Sequence, residues 1–286
     1  MRIFRLIFMV LTITSSPARS GAPNVVTDIA PVHSLVASVM GDLGQPTLLL
    51  SGVDDPHHMQ LRPSQARALA QADLVFWIGS DLTPWLTAPI ANLSDNSRKI
   101  SLLTVPETAL QRSDSGTDPH AWLNPDNAVI WIDAIAQALS HQDPENQRLY
   151  LENADRTAAD IAALTQRIQS TLLPLHNQPL VFDHGAFGYF ADRFDLDIAG
   201  VISPNDSTTP GAAHLKNIRS VLQSGNIACA IAQTGESPTF LNSLTTGTGT
   251  PVAQLDPMGA TQKPAPDLYP ALIQKIASGL VTCVNQ

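Results

Sequence analysis

Four residues of this chain have the types and neighbours to hold a transition-metal ion. They are His57 in DDPHHMQLRPS, His120 in DPHAWLNP, His184 in VFDHGAFGYF and Asp256 in QLDPMG. Three neutral imidazoles and one carboxylate form a four-donor set for a borderline divalent cation, with nitrogen and oxygen about 2.0 to 2.2 Å from a tetrahedral zinc. Manganese favours more oxygen, for instance two carboxylates with two imidazoles, so histidine rather than glutamate at position 184 points to zinc. Taken singly, none of the four is a signal, because imidazole is intermediate in burial and a lone histidine is usually an ordinary, partly buried side chain. Their weight comes from where the chain puts them.

Short Val-, Ile- and Leu-rich segments alternate with amphipathic stretches, the pattern of α/β units around a parallel sheet. The spacing predicts strands over 24–29, 46–50, 74–78 and 99–103, and again over 180–183, 197–201, 227–232 and 252–255. Helices fit near Pro31, Pro63 and Thr83, over 125–140, 186–194, 212–223, 238–245 and 268–281, with proline tolerated in a first turn. Asp143 and Pro144 open a further run with no proline or glycine before Pro174, and Leu149, Ala154, Ala158, Ile161, Leu164, Ile168 and Leu172 form its apolar stripe. Asp143 is expected to cap that helix. Its roughly 29 residues would span on the order of 40 Å, enough to brace two lobes. The expected divisions are a signal peptide over 1–20, an N-terminal lobe over 21–141, the linking helix over 142–173 and a C-terminal lobe over 174–286.

On this map His57 follows the second strand, His120 follows the fourth, His184 closes the fifth and Asp256 closes the eighth. Open α/β sheets bind ligands beyond the carboxyl ends of their strands. Two candidates come from each half, so a cleft between lobes is the economical site. His58 rivals His57, but neighbours in an extended segment point opposite ways, leaving His58 as a rim or relay residue. Asp54 and Asp55 read as turn residues. Asp118 and Asn124 flank His120, and either could accept from a ligating imidazole, although Asn124 before Pro125 also suits a helix cap. Strand alternation directs Asp183 away from His184. Trp122, Phe187 and Tyr189 read as core, and His33, His141, His176 and His214 as helix-end or surface residues.

The chain has 286 residues, 44% of them hydrophobic, which is enough for a sizeable core. Arg2 and Arg5 precede an apolar run from Leu6 to about Thr14, then Ala18 and Ser20 supply small residues for cleavage, the layout of a secretory leader. That run is shorter than the roughly 20 residues a spanning helix needs, and no second one follows. No cysteine near the cleavage site suggests a lipid anchor. The formal charge of −9 disfavours nucleic acid as a partner. Export places the two cysteines, Cys229 and Cys283, where disulfides persist, and they read as one bridge worth about 4 kcal/mol.

In this order around a long central helix, PHHMQLRPS, DPHAWLNP, HGAFGYF and LDPMG resemble the metal-binding periplasmic solute-binding proteins of zinc and manganese ABC importers. Histidine in the third segment resembles the zinc branch. The resemblance spans the mature chain. It implies two α/β lobes, each a mainly parallel four-stranded sheet with flanking helices, joined by a rigid helix with metal in the cleft. It also implies His57, His120 and His184 as ligands, with Asp256 as the fourth, holding one Zn2+ per chain. The implied role is capture in the periplasm and delivery to an ABC permease of the inner membrane, by a monomer and without catalysis. Zinc members often carry a long histidine- and acid-rich loop before DPH, whereas here that span is only QRSDSGT. The resemblance then implies hand-over from a separate periplasmic zinc chaperone. Gln233 stands where relatives commonly have glutamate, and the two cysteines sit where zinc members commonly have a disulfide. The competing readings are a manganese receptor of the same fold, a surface adhesin of that fold, and a zinc hydrolase. The hydrolase lacks support, because no HExxH is present and four protein donors close the position that catalytic zinc keeps open.

Overall fold

The structure, a computed structural model, describes residues 21–50, 52, 54–113, 116–204, 210–235 and 239–286. The expected leader over 1–20 lies outside them. Strands β1 (Val25–Thr27), β2 (Thr47–Leu48), β3 (Leu74–Trp77) and β4 (Arg98–Ser101) form a parallel sheet in the order β2-β1-β3-β4. A short antiparallel hairpin, β5 (Arg112–Ser113) and β6 (Gly116–Thr117), precedes His120. Strands β7 (Leu180–His184), β8 (Ile198–Ser203), β9 (Cys229–Gln233) and β10 (Val252–Leu255) form the second parallel sheet, ordered β10-β9-β7-β8. In both sheets the lobe's first strand lies between its second and third, and the fourth is outermost. All eight predicted strands are present.

The strands read as apolar runs because each sheet is covered on both faces. On the outer faces, Val26, Val75 and Trp77 pack with Leu69 of α2 (Pro63–Ala70) and Ile90 of α3 (Thr87–Ala91). In the second lobe Val181, Ala230 and Ala232 pack with Ile218 of α7 (Ala212–Gln223) and Leu241 of α8 (Thr239–Thr245). The inner faces share one core. Val25, Leu74 and Phe76 of the first sheet and Leu180, Phe182 and Ile231 of the second join it, with residues of α1 (Ala30–Met40), α4 (Pro125–Gln142), α5 (Gln147–Leu172), α6 (Gly188–Arg193) and α9 (Leu268–Val284). The lobes are therefore seamed by buried apolar surface, which opposes wide separation.

Helix α5 runs 26 residues, about 39 Å at 1.5 Å per residue. Its start differs from expectation. Asp143 makes no side-chain cap; a 3-10 turn over Pro144–Asn146 leads into the helix. The Asp143 carboxylate instead accepts from Tyr150 Oη at 2.9 Å and Asn146 Nδ2 at 2.7 Å. Tyr150 is fully buried, so its hydroxyl needs an acceptor more than the helix end needs a cap. His33 also departs from the surface reading. It is buried on α1, its Nε2 lies 3.1 Å from Pro46 O, and burial pushes its pKa below the usual imidazole value. Helix α1 is enclosed nearly all round, against the first sheet on one side and α4, α5 and α9 on the other. Cys229 and Cys283 are joined in a disulfide that ties the start of β9 to the last turn of α9. Among the described residues, no helix is long and apolar enough to cross a membrane.

Candidate metal centre

Three of the four predicted donors meet. The ring of His120 lies 6.0 Å from that of His57 and 5.4 Å from that of His184, centroid to centroid. A tetrahedral metal about 2.0 to 2.1 Å from each ring nitrogen would hold imidazole centroids about 5 Å apart. The observed spacings are therefore within an ångström of a shared ion. Among the described residues no three His, Cys, Asp or Glu side chains stand in finished metal-holding geometry.

Each ring is positioned differently. His184 is the last residue of β7, paired in register with Ser203 of β8, so the sheet itself fixes it. Gly185 follows because a Cβ there would stand 2.5 Å from Pro204 O, and only glycine lets the chain leave the strand so close to its neighbour. His120 is almost enclosed, 6% exposed, at the head of the 3-10 turn before α4. Asp118 Oδ1 accepts from His120 N at 2.9 Å and lies 2.8 Å from His120 Nδ1. A carboxylate facing Nδ1 fixes the proton there and leaves Nε2 as the donor atom for a metal. Trp122, 5.2 Å from the His120 ring, donates from Nε1 to Pro257 O at 2.8 Å, tying this segment to the one carrying Asp256. Tyr269 donates to Trp122 O at 2.8 Å.

Tyr189, expected only as core, is also a tie between lobes. Its hydroxyl donates to Asp118 O at 2.9 Å and accepts from Gln111 N at 2.8 Å. Burial, the main cause, pushes its pKa up to about 12, so it stays a neutral phenol. His57 stands on the loop after β2. Asp55 Oδ1 accepts from His57 N at 2.9 Å, and Trp85 Nε1 donates to Pro56 O at 2.7 Å. The ties made by Tyr189, Trp85, Trp122 and Tyr269 have no sequence signal, because each joins residues far apart in the chain.

The fourth candidate is bound by its own loop. Asp256 Oδ1 accepts from Met258 N and Ala260 N, both at 3.1 Å, and Oδ2 accepts from Thr261 N at 3.0 Å and Thr261 Oγ1 at 2.9 Å. Its four lone-pair sites are thus engaged by its own loop. Asn124 Oδ1 accepts from Asp126 N at 3.0 Å, capping α4, so its side chain serves the helix. His58 points outward, its Nδ1 lying 3.1 Å from Asp55 Oδ2. Asp183 Oδ2 accepts from Gln233 N at 2.8 Å, which fastens β7 to β9 beside His184.

The sequence model for the periplasmic component A of the zinc-uptake complex, ZnuA, matches residues 25–283. The chain belongs to the ZnuA family. The high-affinity zinc uptake system protein ZnuA of Paracoccus denitrificans is 37% identical, with 94% of each chain covered. A crystal structure of ZnuA matches with a TM-score of 0.79 at 25% identity, over 91% of this chain and 99% of that one. The periplasmic zinc-binding protein TroA from Treponema pallidum shares the fold, with a TM-score of 0.80 at 16% identity over 92% of this chain and 99% of its own. The ZnuA family consists of periplasmic solute-binding proteins, not enzymes. Its two-lobe α/β architecture, with a long helix between the sheets, is the one found here.

Proposed function

We propose that this protein captures zinc in the periplasm and delivers it to the permease of an ABC importer. The observation that carries the reading is the meeting of His57, His120 and His184, drawn from three distant segments in a chain of a zinc-uptake family. Nitrogen-rich donors suit zinc better than manganese. Asp256 completes the set once it gives up its bonds to Thr261, a cost that makes it the weakest of the four. Asp118 orients His120, and His58 is accessory. The lobes are taken as residues 21–141 and 174–286, bridged by 142–173, after removal of a signal peptide over 1–20. The chain acts as a monomer holding one ion, and it receives zinc from a periplasmic chaperone in place of a histidine-rich loop. Equilibrium dialysis of the chelator-treated protein should retain about one zinc per chain. No retention at neutral pH would overturn the reading.

A further inference from the structure

The tripeptide Asp-Pro-His occurs twice, as Asp55-Pro56-His57 and Asp118-Pro119-His120. Both copies fold alike, with the aspartate Oδ1 accepting from the histidine main-chain N at 2.9 Å. They differ in which ring the carboxylate then serves. Asp118 faces the Nδ1 of its own His120 at 2.8 Å, whereas Asp55 turns its Oδ2 to Nδ1 of the next residue, His58, at 3.1 Å. A carboxylate on one ring nitrogen is the arrangement that readies the other for metal. One such ring is enclosed, His120 with a side chain 8% exposed, and the other is open, His58 at 76% with Asp55 at 54%. The outer pair is anchored, since Trp85 holds Pro56 O and Asp55 holds His57 N. Asp54 beside it has an Oδ2 that finds no hydrogen-bond donor among the described residues and stands 3.9 Å from Arg62 Nη2.

We propose that His58 and Asp55 form an outer docking pair for zinc, which takes the hydrated ion first and passes it to His57. The inference rests on the zinc-capture reading and supplies its route of entry. A hydrated ion must shed water to bind His57, His120 and His184, of which His120 is enclosed and the other two are half-buried. His58, with its Nδ1 side held by Asp55, replaces part of that shell through Nε2 while the remaining positions are still wet. The two residues are neighbours in the chain, with Cα atoms about 3.8 Å apart. The transfer moves the ion from a site with few protein donors to one with more, so the outer pair affects the rate of loading and leaves the final affinity to the inner rings.

The test follows zinc uptake by stopped-flow, delivering Zn2+ as its nitrilotriacetate complex to the metal-free full chain. Trp122, beside the His120 ring, serves as the fluorescent reporter. His58→Ala should load about tenfold more slowly, the scale of effect that loss of one supporting group has at a metal site. Its equilibrium affinity should stay within about threefold of the parent, since the inner donors are untouched. His58→Glu, which restores an oxygen donor, should recover part of the rate. A parental loading rate in His58→Ala overturns the docking pair. So does a loss of affinity as large as that of His57→Ala, which would make His58 an inner ligand. Failure of the parent protein itself to retain zinc would instead overturn the capture reading.

Discussion

The two lobes share one strand plan yet present their candidate metal donors in opposite ways. In the first, Asp28 directly after β1 accepts from Ile78 N, one residue past β3, at 2.7 Å. In the second, Asp183 near the end of β7 accepts from Gln233 N at the end of β9 at 2.8 Å. The strand registers, extended by one residue, put Asp28 beside Trp77 and Asp183 beside Ala232, so both bonds reach one residue further along the neighbouring strand. The same staple closes both sheets at the end that faces the candidate site. By this correspondence His184 matches Ile29, which is fully buried core. The C-terminal lobe therefore sets its candidate donor on the sheet itself, whereas the N-terminal lobe fills that position with core and offers its candidates, His57 and His120, from loops. A strand-borne donor has little freedom, while a loop-borne one can close on the ion.

If that contrast holds, losing a sheet-borne or enclosed donor should hurt most. His184→Ala and His120→Ala should each weaken zinc binding by about 100-fold or more, beyond what loss of an outer supporting group costs. His57→Ala should cost about tenfold, because the loop can offer its neighbour His58 instead. The double change of His57 and His58 to Ala should then approach the His184→Ala value. Chelator competition measures all four, and equal losses for His57→Ala and His184→Ala would break the contrast between the lobes.

The staples themselves differ in burial. Asp28 is wholly enclosed, and desolvation pushes its carboxyl from 3.8 up to about 7 against the pull of its bonds from Ile78 N and Ile29 N. In the unfolded chain the group titrates near 3.9. Between about pH 4 and pH 7 the folded protein keeps a proton that the unfolded chain has lost, so stability falls as pH rises through that window. From pH 5 to pH 7 the fall due to this group is on the order of 2 kcal/mol. Thermal unfolding of the metal-free protein should show it, and Asp28→Asn should remove it. An unchanged slope in that variant would place the pH dependence elsewhere.

The strand plan was legible because each strand is a short apolar run bounded by turn residues, as at Leu74 to Trp77 and Cys229 to Gln233. The nearness of the three histidine rings was legible because each lies at or after the end of such a run. The hidden parts depend on partners distant in sequence. Asp143 looked like a helix cap, yet a buried Tyr150 claims its carboxylate. Asp28 carried no sign of its staple, since Ile78 lies 50 residues on. His33 looked like a surface histidine because the sequence does not reveal how many helices close over α1. Asp256 reads as a candidate donor after β10, but the four bonds from its own loop depend on how residues 258–261 turn back.

The finest separation lies within one loop, at the two residues flanking His120. Asp118 faces the ring, whereas Asn124 faces the first turn of α4. Asn124→Ala should therefore cost about 1 kcal/mol of stability through the lost cap. Its zinc affinity should match the parent. Asp118→Ala should do the reverse at the metal, lowering affinity about tenfold through a ring that is no longer held in one tautomer and orientation. Denaturant unfolding and chelator competition on the two variants give four numbers, and the two assignments predict opposite patterns in them. If Asn124→Ala lost as much affinity as Asp118→Ala, the turn before α4 would be part of the metal site. The stretch from Asp118 to Asn124 would then act as one rigid unit, and the N-terminal lobe would hold its donor as firmly as the C-terminal sheet does.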